Sequence, residues 1–233
     1  MYSFDSRIRF SEADQNGYLT LNHLVDYFQD CCIFHSEDVG LGMSTAEDKN
    51  KVWMLIGWQI EINRLPKYTE KVTIFTWPYS FVRFKGGRNF TMTDEAGNVL
   101  AKADSQWVYM NLETGLPERV FDQMGEIFGM GEPLEIGIDK KKIRIPEDCE
   151  VKEAILVRKE HLDTNRHVNN GQYIMMAADL IPENVKIHQV KVEYKNQAKL
   201  GDTIIPKIKA EDGKYLVALC GEDDKPYAVI EMR

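Results

Sequence analysis

Hydrophobic positions along the chain fall into one helical stripe followed by alternating runs, and this order occurs twice. Leu21, Leu24, Val25, Phe28, Cys31 and Cys32 recur at helical spacing behind Thr20, which predicts a helix of about four turns with Thr20 at its N-cap. Trp58, Ile60 and Ile62 then alternate with polar residues, as do Val72, Ile74, Phe90 and Met92 more loosely. The stretch EAGN at 95–98 reads as a hairpin turn, with Gly97 able to take positive φ, and a long strand over 99–112 follows it.

The second half repeats the plan. A strand near 151–161 leads into a helix that ends before Pro182, and strands follow near 186–195 and 202–210. Asp212-Gly213 turns into YLVALCG, and EDDKP turns into a last strand, YAVIEM. Setting Asp14 on Asp163 aligns Arg9 with Arg158 and Asn16 with Asn165, and residues 58–74 face 188–204 with a one-residue slip. Each half is thus one helix on one face of a curved antiparallel sheet, an α+β layer architecture. Residues 115–148 between the halves hold five glycines, three prolines and a lysine run, a composition suited to a connecting segment. The predicted boundaries are 1–130 for the first domain, 131–148 for the linker and 149–233 for the second.

Composition narrows the classes. The 233 residues are 43% hydrophobic and 28% charged, ordinary for a globular chain with a sizeable core. No basic region followed by an apolar run opens the sequence, and no apolar stretch approaches the roughly 18 residues that cross a bilayer, so a cytoplasmic protein without a membrane span is expected. Cys31 and Cys32 are adjacent while Cys149 and Cys220 stand alone; this spacing matches neither a zinc site nor a disulfide framework, and it points to free thiols, with no metal and no cofactor. A formal charge of −8 argues against nucleic-acid binding. An acidic partner would need a local basic patch, and the candidates are Arg83, Lys85 and Arg88, or Lys140, Lys141, Lys142 and Arg144. A solvated face is the plainer reading of both.

The densest chemistry lies in HLDTNRHVNNGQYI, residues 161–174. Asp163, Asn165 and His167 are two residues apart, so an extended lead-in would point them to one side. Asn169 or Asn170 would cap the following helix, and Gly171 lets backbone or ligand approach closely. A helix N-terminus presents amide hydrogens and partial positive charge that can polarise a carbonyl, while a carboxylate and an imidazole beside it can activate water or attack directly. That set reads as acyl transfer or hydrolysis. Asp and Asn ahead of a helix also serve as caps and Asx turns, and that reading stands beside the catalytic one. The first half offers Asp14, Asn16, Tyr18, Thr20 and Leu21 at the matching positions, so only the second half carries the full set.

From end to end the chain resembles the acyl carrier protein thioesterases, a family of two tandem hotdog folds, each a long helix wrapped by a curved antiparallel sheet. DTNRHVNN resembles the family's Asp-x-Asn-x-His-x-x-Asn motif, WQIEINRLPKYTEKVTIFTW its first-half strand pair, and SQWVYMNLETGLP the strand and turn after it. The resemblance implies hydrolysis of a fatty acyl thioester on the phosphopantetheine arm of an acidic acyl carrier protein. It carries catalytic candidacy to Asp163, Asn165 and His167, and substrate contact to Asn169, Asn170 and Gly171. It also gives the first half an acyl pocket, with Trp53, Met54, Trp58 and Trp107 as candidate lining; core packing is the simpler role for each. Plant members have a Glu-Cys pair where YKNQAK places Gln197 and Ala198, so the thiol nucleophile is missing here and Gln197 is left as a hydrogen-bonding candidate. Three other readings stay open: a coenzyme A thioesterase, a dehydratase, and a non-catalytic acyl-binding module. Two fused halves mimic a hotdog dimer, so a monomer and a homodimer of chains are both compatible with the sequence.

Overall fold

The computed structural model describes residues 1–46, 48, 50–138 and 141–233; Lys140, one of the predicted basic residues, lies outside the described residues. The chain divides into two units, Met1–Gly137 and Ile138–Arg233. The first contains β1 (Tyr2–Arg7), α1 (Leu21–Asp38), β2 (Lys51–Ile62), β3 (Lys71–Val82), β4 (Lys85–Asp94), β5 (Val99–Asn111), β6 (Leu116–Pro117) and the short α2 (Met124–Phe128). Its antiparallel sheet runs in the order β1-β3-β4-β5-β2. The second contains β7 (Glu150–Val151), β8 (Ile155–Leu156), α3 (Asn170–Ala178), β9 (Gln189–Tyr194), β10 (Thr203–Glu211), β11 (Lys214–Cys220) and β12 (Pro226–Met232). Its order is β7-β10-β11-β12-β9, with β8 also on β10. The two orders are one topology: an edge strand, a helix, a jump to the unit's far edge, a return to lie beside the first strand, and a three-strand meander toward the far-edge strand. Each unit is a hotdog fold of the α+β class.

In the first unit Leu24, Val25, Phe28, Cys31, Cys32 and His35 form the buried face of α1, which packs on β1 and β3. The helix has 18 residues, a turn beyond the expected length, and Leu21 is only half-buried. Thr20 occupies the N-cap, but its hydroxyl meets His23 Nδ1 at 2.8 Å and the Glu12 carbonyl at 3.3 Å rather than a helix amide. Against this face Phe28, Trp58 and Phe90 pack with ring centroids 5.1–6.2 Å apart. Truncating such a ring to alanine typically costs about 3–5 kcal/mol. β1 answers to no predicted element. Residues 131–137 of the predicted linker belong to this unit: Gly131 donates to the Pro78 carbonyl at 2.9 Å and Leu134 to Asn89 Oδ1 at 2.8 Å, while Trp77 Nε1 donates to the Glu132 carbonyl at 2.8 Å.

Arg88 corrects the predicted basic patch. It is buried at 6% exposure, donates to His35 Nδ1 at 3.1 Å and Thr76 Oγ1 at 3.2 Å, and lies over the Phe128 ring. Burial, then Arg88 itself, pushes the His35 pKa down to about 4, so the imidazole stays neutral and can accept the guanidinium's bond. Of that cluster Arg83 and Lys85 alone remain exposed.

In the second unit α3 has nine residues and stops at Ala178, shorter than the long helix expected; the turn Asp179–Ile181 leads straight to Pro182. The strand expected over 151–161 is split into β7 and β8. Pro206 is the reason: its carbonyl accepts from Lys152 at 2.9 Å, but it has no amide to return the bond, so the edge ladder breaks there.

A half-buried carboxyl on α1 makes this fold sensitive to pH. Burial, opposed by His23 and reinforced by Asp30 and Glu12, raises the Asp26 carboxyl on α1 to about 6. A raised carboxyl leaves stability intact below its unfolded pKa and removes it as pH rises through about 6. Asp26→Asn should therefore raise the Tm at pH 8 and leave it nearly unchanged at pH 4, measured by thermal melts; an equal shift at both values would contradict this assignment.

Candidate active-site loop

The segment ahead of α3 is built like the segment ahead of α1, bond for bond. In the first unit Asp14 Oδ1 accepts from the amides of Asn16 at 2.8 Å and Tyr18 at 2.9 Å, and the Asp14 amide donates to the Tyr18 carbonyl at 2.8 Å. In the second, Asp163 Oδ1 accepts from Asn165 at 2.8 Å and His167 at 3.2 Å, and the Asp163 amide donates to the His167 carbonyl at 2.8 Å. Both turns pass through a left-handed residue, Gly17 at φ 80° and Arg166 at φ 64°. Leu19 then donates to the Pro66 carbonyl and Val168 to the Ala198 carbonyl, each at 2.9 Å. The partner turns match as well. Lys67 donates to Glu70 Oε2 at 3.0 Å and Lys199 to Asp202 Oδ2 at 2.8 Å, with Thr69 and Gly201 both at positive φ.

This geometry corrects the extended lead-in expected for Asp163, Asn165 and His167. The chain reverses between Asp163 and His167, so strand parity does not orient their side chains. Asp163 and His167 are half-buried and Asn165 is exposed. One carboxylate oxygen of Asp163 is committed to the turn; the other, Oδ2, has only Asn165 Nδ2 near it, at 3.5 Å.

Asn169, rather than Asn170, caps α3, its side chain accepting from the Gly171 amide at 2.7 Å. That bond takes one of the amides that the sequence reading offered to a substrate oxygen. The Asn170 carbonyl accepts from the Tyr194 hydroxyl at 3.0 Å. Gly171 is buried in the first turn. Gln197 is exposed and lies in the segment after β9, one residue before the buried Ala198, whose carbonyl accepts the Val168 amide. The structure thus gathers Asp163, Asn165, His167, Asn169, Asn170 and Gly171 into one loop and the helix start that follows it, with Gln197 in the segment after β9 that this loop bonds through Ala198. Trp53 and Trp58 are held by the first unit: Trp58 is fully buried between Phe28 and Phe90, and Trp53 stacks with Phe81 and Tyr109. Among the described residues no group of three His, Cys, Asp or Glu side chains could hold a metal ion.

Sequence reasoning missed Tyr173. Its buried hydroxyl accepts the Ala198 amide at 2.9 Å, tying α3 to the segment that carries Gln197, and burial raises its pKa to about 12. The available signal was a tyrosine on an otherwise apolar helix face, since a buried phenol needs a hydrogen-bond partner.

Comparison with known proteins agrees with this architecture. Residues 1–128 match the acyl-ACP thioesterase N-terminal domain and residues 146–223 the acyl-ACP thioesterase C-terminal domain. The chain belongs to the acyl-ACP thioesterase family. An oleoyl-acyl carrier protein thioesterase 2, chloroplastic, from Arabidopsis thaliana is 29% identical over 218 residues, covering 84% of this chain and 59% of that protein. A palmitoyl-acyl carrier protein thioesterase, chloroplastic, from Gossypium hirsutum is 24% identical, covering 84% of this chain and 52% of its own length. The chain therefore spans between half and two thirds of these relatives. Among solved structures, an acyl-ACP thioesterase from Bacteroides thetaiotaomicron shares the fold at a TM-score of 0.89 and 24% identity, covering 99% of this chain and 96% of that one. The 12:0-ACP thioesterase from Umbellularia californica aligns at 0.84 and 17% identity, covering 100% and 96%.

Because Asp14 and Asp163 close equivalent turns, Asp14→Ala and Asp163→Ala should each cost about 1.5–3 kcal/mol, the net worth of bonds to a charged acceptor, while Asp163→Asn keeps the accepting oxygen and part of the stability. Urea unfolding checks this. Equal losses for Asp163→Ala and Asp163→Asn would show that the negative charge, not the acceptor, holds the turn.

Proposed function

We propose that the chain hydrolyses the thioester of a fatty acyl-acyl carrier protein, releasing free fatty acid and ending chain elongation. The observation that carries this reading is the difference between two loops of one geometry. The first closes its turn around Tyr18, Thr20 and Leu21; the second places His167, Asn169 and Asn170 there, beside a carboxylate whose Oδ2 is left out of the turn. A turn needs none of those additions. Family membership and relatives named as acyl carrier protein thioesterases support the substrate class.

In this mechanism Asp163 takes a proton from a water that attacks the thioester carbonyl carbon, or attacks that carbon itself. Asn165 and His167 orient the water or the carbonyl, Asn169, Asn170 and Gly171 contact the thioester at the helix start, and Gln197 holds a hydrogen bond in place of the missing carboxylate. With alanine at 198 no thiol nucleophile takes part. Trp53 and Trp58 are the proposed apolar lining for the acyl chain. Two alternative patches are the proposed contacts for the acidic carrier, either the exposed Arg83 and Lys85 or the exposed Lys141, Lys142 and Arg144. The four unpaired cysteines support a reducing compartment such as the cytoplasm, and no described helix is long and apolar enough to cross a membrane. A monomer and a homodimer both fit.

A positioned base typically contributes about 10²–10⁴-fold, so Asp163→Asn should lower hydrolysis by that factor while acyl-carrier binding persists. The test is a release assay over acyl-carrier thioesters of graded chain length, with acyl-coenzyme A of the same chain in parallel. Near-full activity in the variant removes Asp163 from the mechanism. Faster turnover of acyl-coenzyme A moves the substrate class to that thioester, and substrate that stays bound and uncleaved turns the chain into an acyl-binding module.

A further inference from the structure

The two matched loops differ in charge as well as in candidate catalytic groups. Residues 9–17 carry Arg9 against Glu12 and Asp14, a net of −1; residues 158–166 carry Arg158, Lys159 and Arg166 against Glu160 and Asp163, a net of +1. Pairing sharpens the contrast. Arg9 is neutralised by Glu12 at 3.0 Å. The position of Glu12 is taken by His161, whose Nδ1 accepts the Arg158 amide at 3.1 Å and leaves the Arg158 guanidinium without a carboxylate. The exposed ring of Phe10 is replaced by Lys159, and Gly17 by Arg166. Arg158, Lys159 and Arg166 are all exposed, and none forms an ion pair among the described residues.

Arg166 is the informative change. Its φ of 64° lies in the left-handed region, which the matching turn fills with glycine. A β-carbon there costs about 1 kcal/mol that glycine avoids. The second loop therefore bears local strain to hold a guanidinium one residue from His167. Of the neighbouring acids, Asp163 accepts two turn amides through Oδ1 and Asp202 Oδ2 accepts from the Lys199 amide and the Tyr227 hydroxyl, and neither forms an ion pair with these cations among the described residues. Glu160 is the one exposed acid within the loop, and Lys199, bridged to His167, adds a further cation. On a chain of net charge −8 this is a local positive edge around the candidate site.

Building on the proposed thioesterase activity, we infer that Arg158, Lys159 and Arg166 form a binding edge for the phosphate of the substrate's phosphopantetheine arm. Planar guanidinium and ammonium donors suit a phosphate, and their placement beside His167 puts the contact on the loop that handles the thioester. The same phosphate occurs on carrier protein and on coenzyme A, so the edge recognises the arm rather than its bearer.

The test compares one acyl chain on pantetheine, phosphopantetheine, coenzyme A and carrier protein, in wild type, Arg166→Gly and Lys159→Ala. Arg166→Gly should fold with a Tm no lower than wild type, because it removes the strain. Its kcat/KM ratio of acyl-phosphopantetheine to acyl-pantetheine should fall about tenfold, the scale of one charge-assisted bond of about 1.4 kcal/mol. Lys159→Ala should shift the ratio in the same direction by less, and coenzyme A and carrier substrates should both follow phosphopantetheine. An unchanged ratio in both variants overturns the inference, as does a loss confined to the carrier substrate, which would mean that the edge meets acidic protein side chains. Wild type that cleaves acyl-pantetheine upholds the thioesterase reading in either case. Wild type that cleaves none of the four overturns that reading, and the phosphate edge with it.

Discussion

One carboxylate oxygen accepting two backbone amides across a five-residue turn is the constraint on which both halves of this protein depend. At Asp14 and at Asp163 it reverses the chain, delivers the next residues to a neighbouring carbonyl, and sets the starting point of a helix. The helix start in turn fixes which face of α1 or α3 meets its sheet. A bond between a charged acceptor and backbone donors is among the stronger local interactions, worth roughly 1.5–3 kcal/mol. Because it uses backbone donors, it leaves every other side chain of the turn free to vary.

That freedom explains how one loop design serves two purposes. In the first unit the open positions are filled for stability. Glu12 pairs with Arg9 and accepts from the Tyr27 hydroxyl at 2.7 Å, Phe10 meets Tyr68 edge-on, and Lys67 lies over Tyr18. In the second unit the same positions hold His161, Lys159 and His167, which satisfy each other less, and Arg166 stands where glycine would be unstrained. A loop that gives up local stability at several positions while its twin does not is what selection for binding and chemistry leaves behind.

The repeat itself was legible in the sequence because helical and strand periodicities recur in one order, and because Asp14-x-Asn16 and Asp163-x-Asn165 share spacing. Three things were not. The alternation of β1 is carried by Tyr2, Phe4 and Ser6, too weak an apolar set to mark a strand until β3 pairs with it. Arg88 reads as surface charge, and its burial is supported by bonds to neutral His35 and to Thr76 and by the face of Phe128, which the sequence does not place beside it. The reversal at 163–167 was hidden by spacing that also suits a strand; its signal was the alignment of Arg166 with Gly17, since glycine there marks a left-handed position. The candidate residues were thus readable as a list, while their arrangement depended on one backbone angle.

The proposed chemistry lies in what the second loop adds to a shared turn. Replacing His167, Asn169 and Asn170 together by their first-unit counterparts, as His167→Tyr, Asn169→Thr and Asn170→Leu, tests it directly, because those residues already suit this backbone. Hydrolysis of an acyl-carrier thioester by the purified, folded variant is the measurement. The expected result is a folded protein whose rate is lower by about 10²-fold or more, with Asp163 and Asn165 still in place. A folded variant that hydrolyses the thioester at close to the wild-type rate would contradict it.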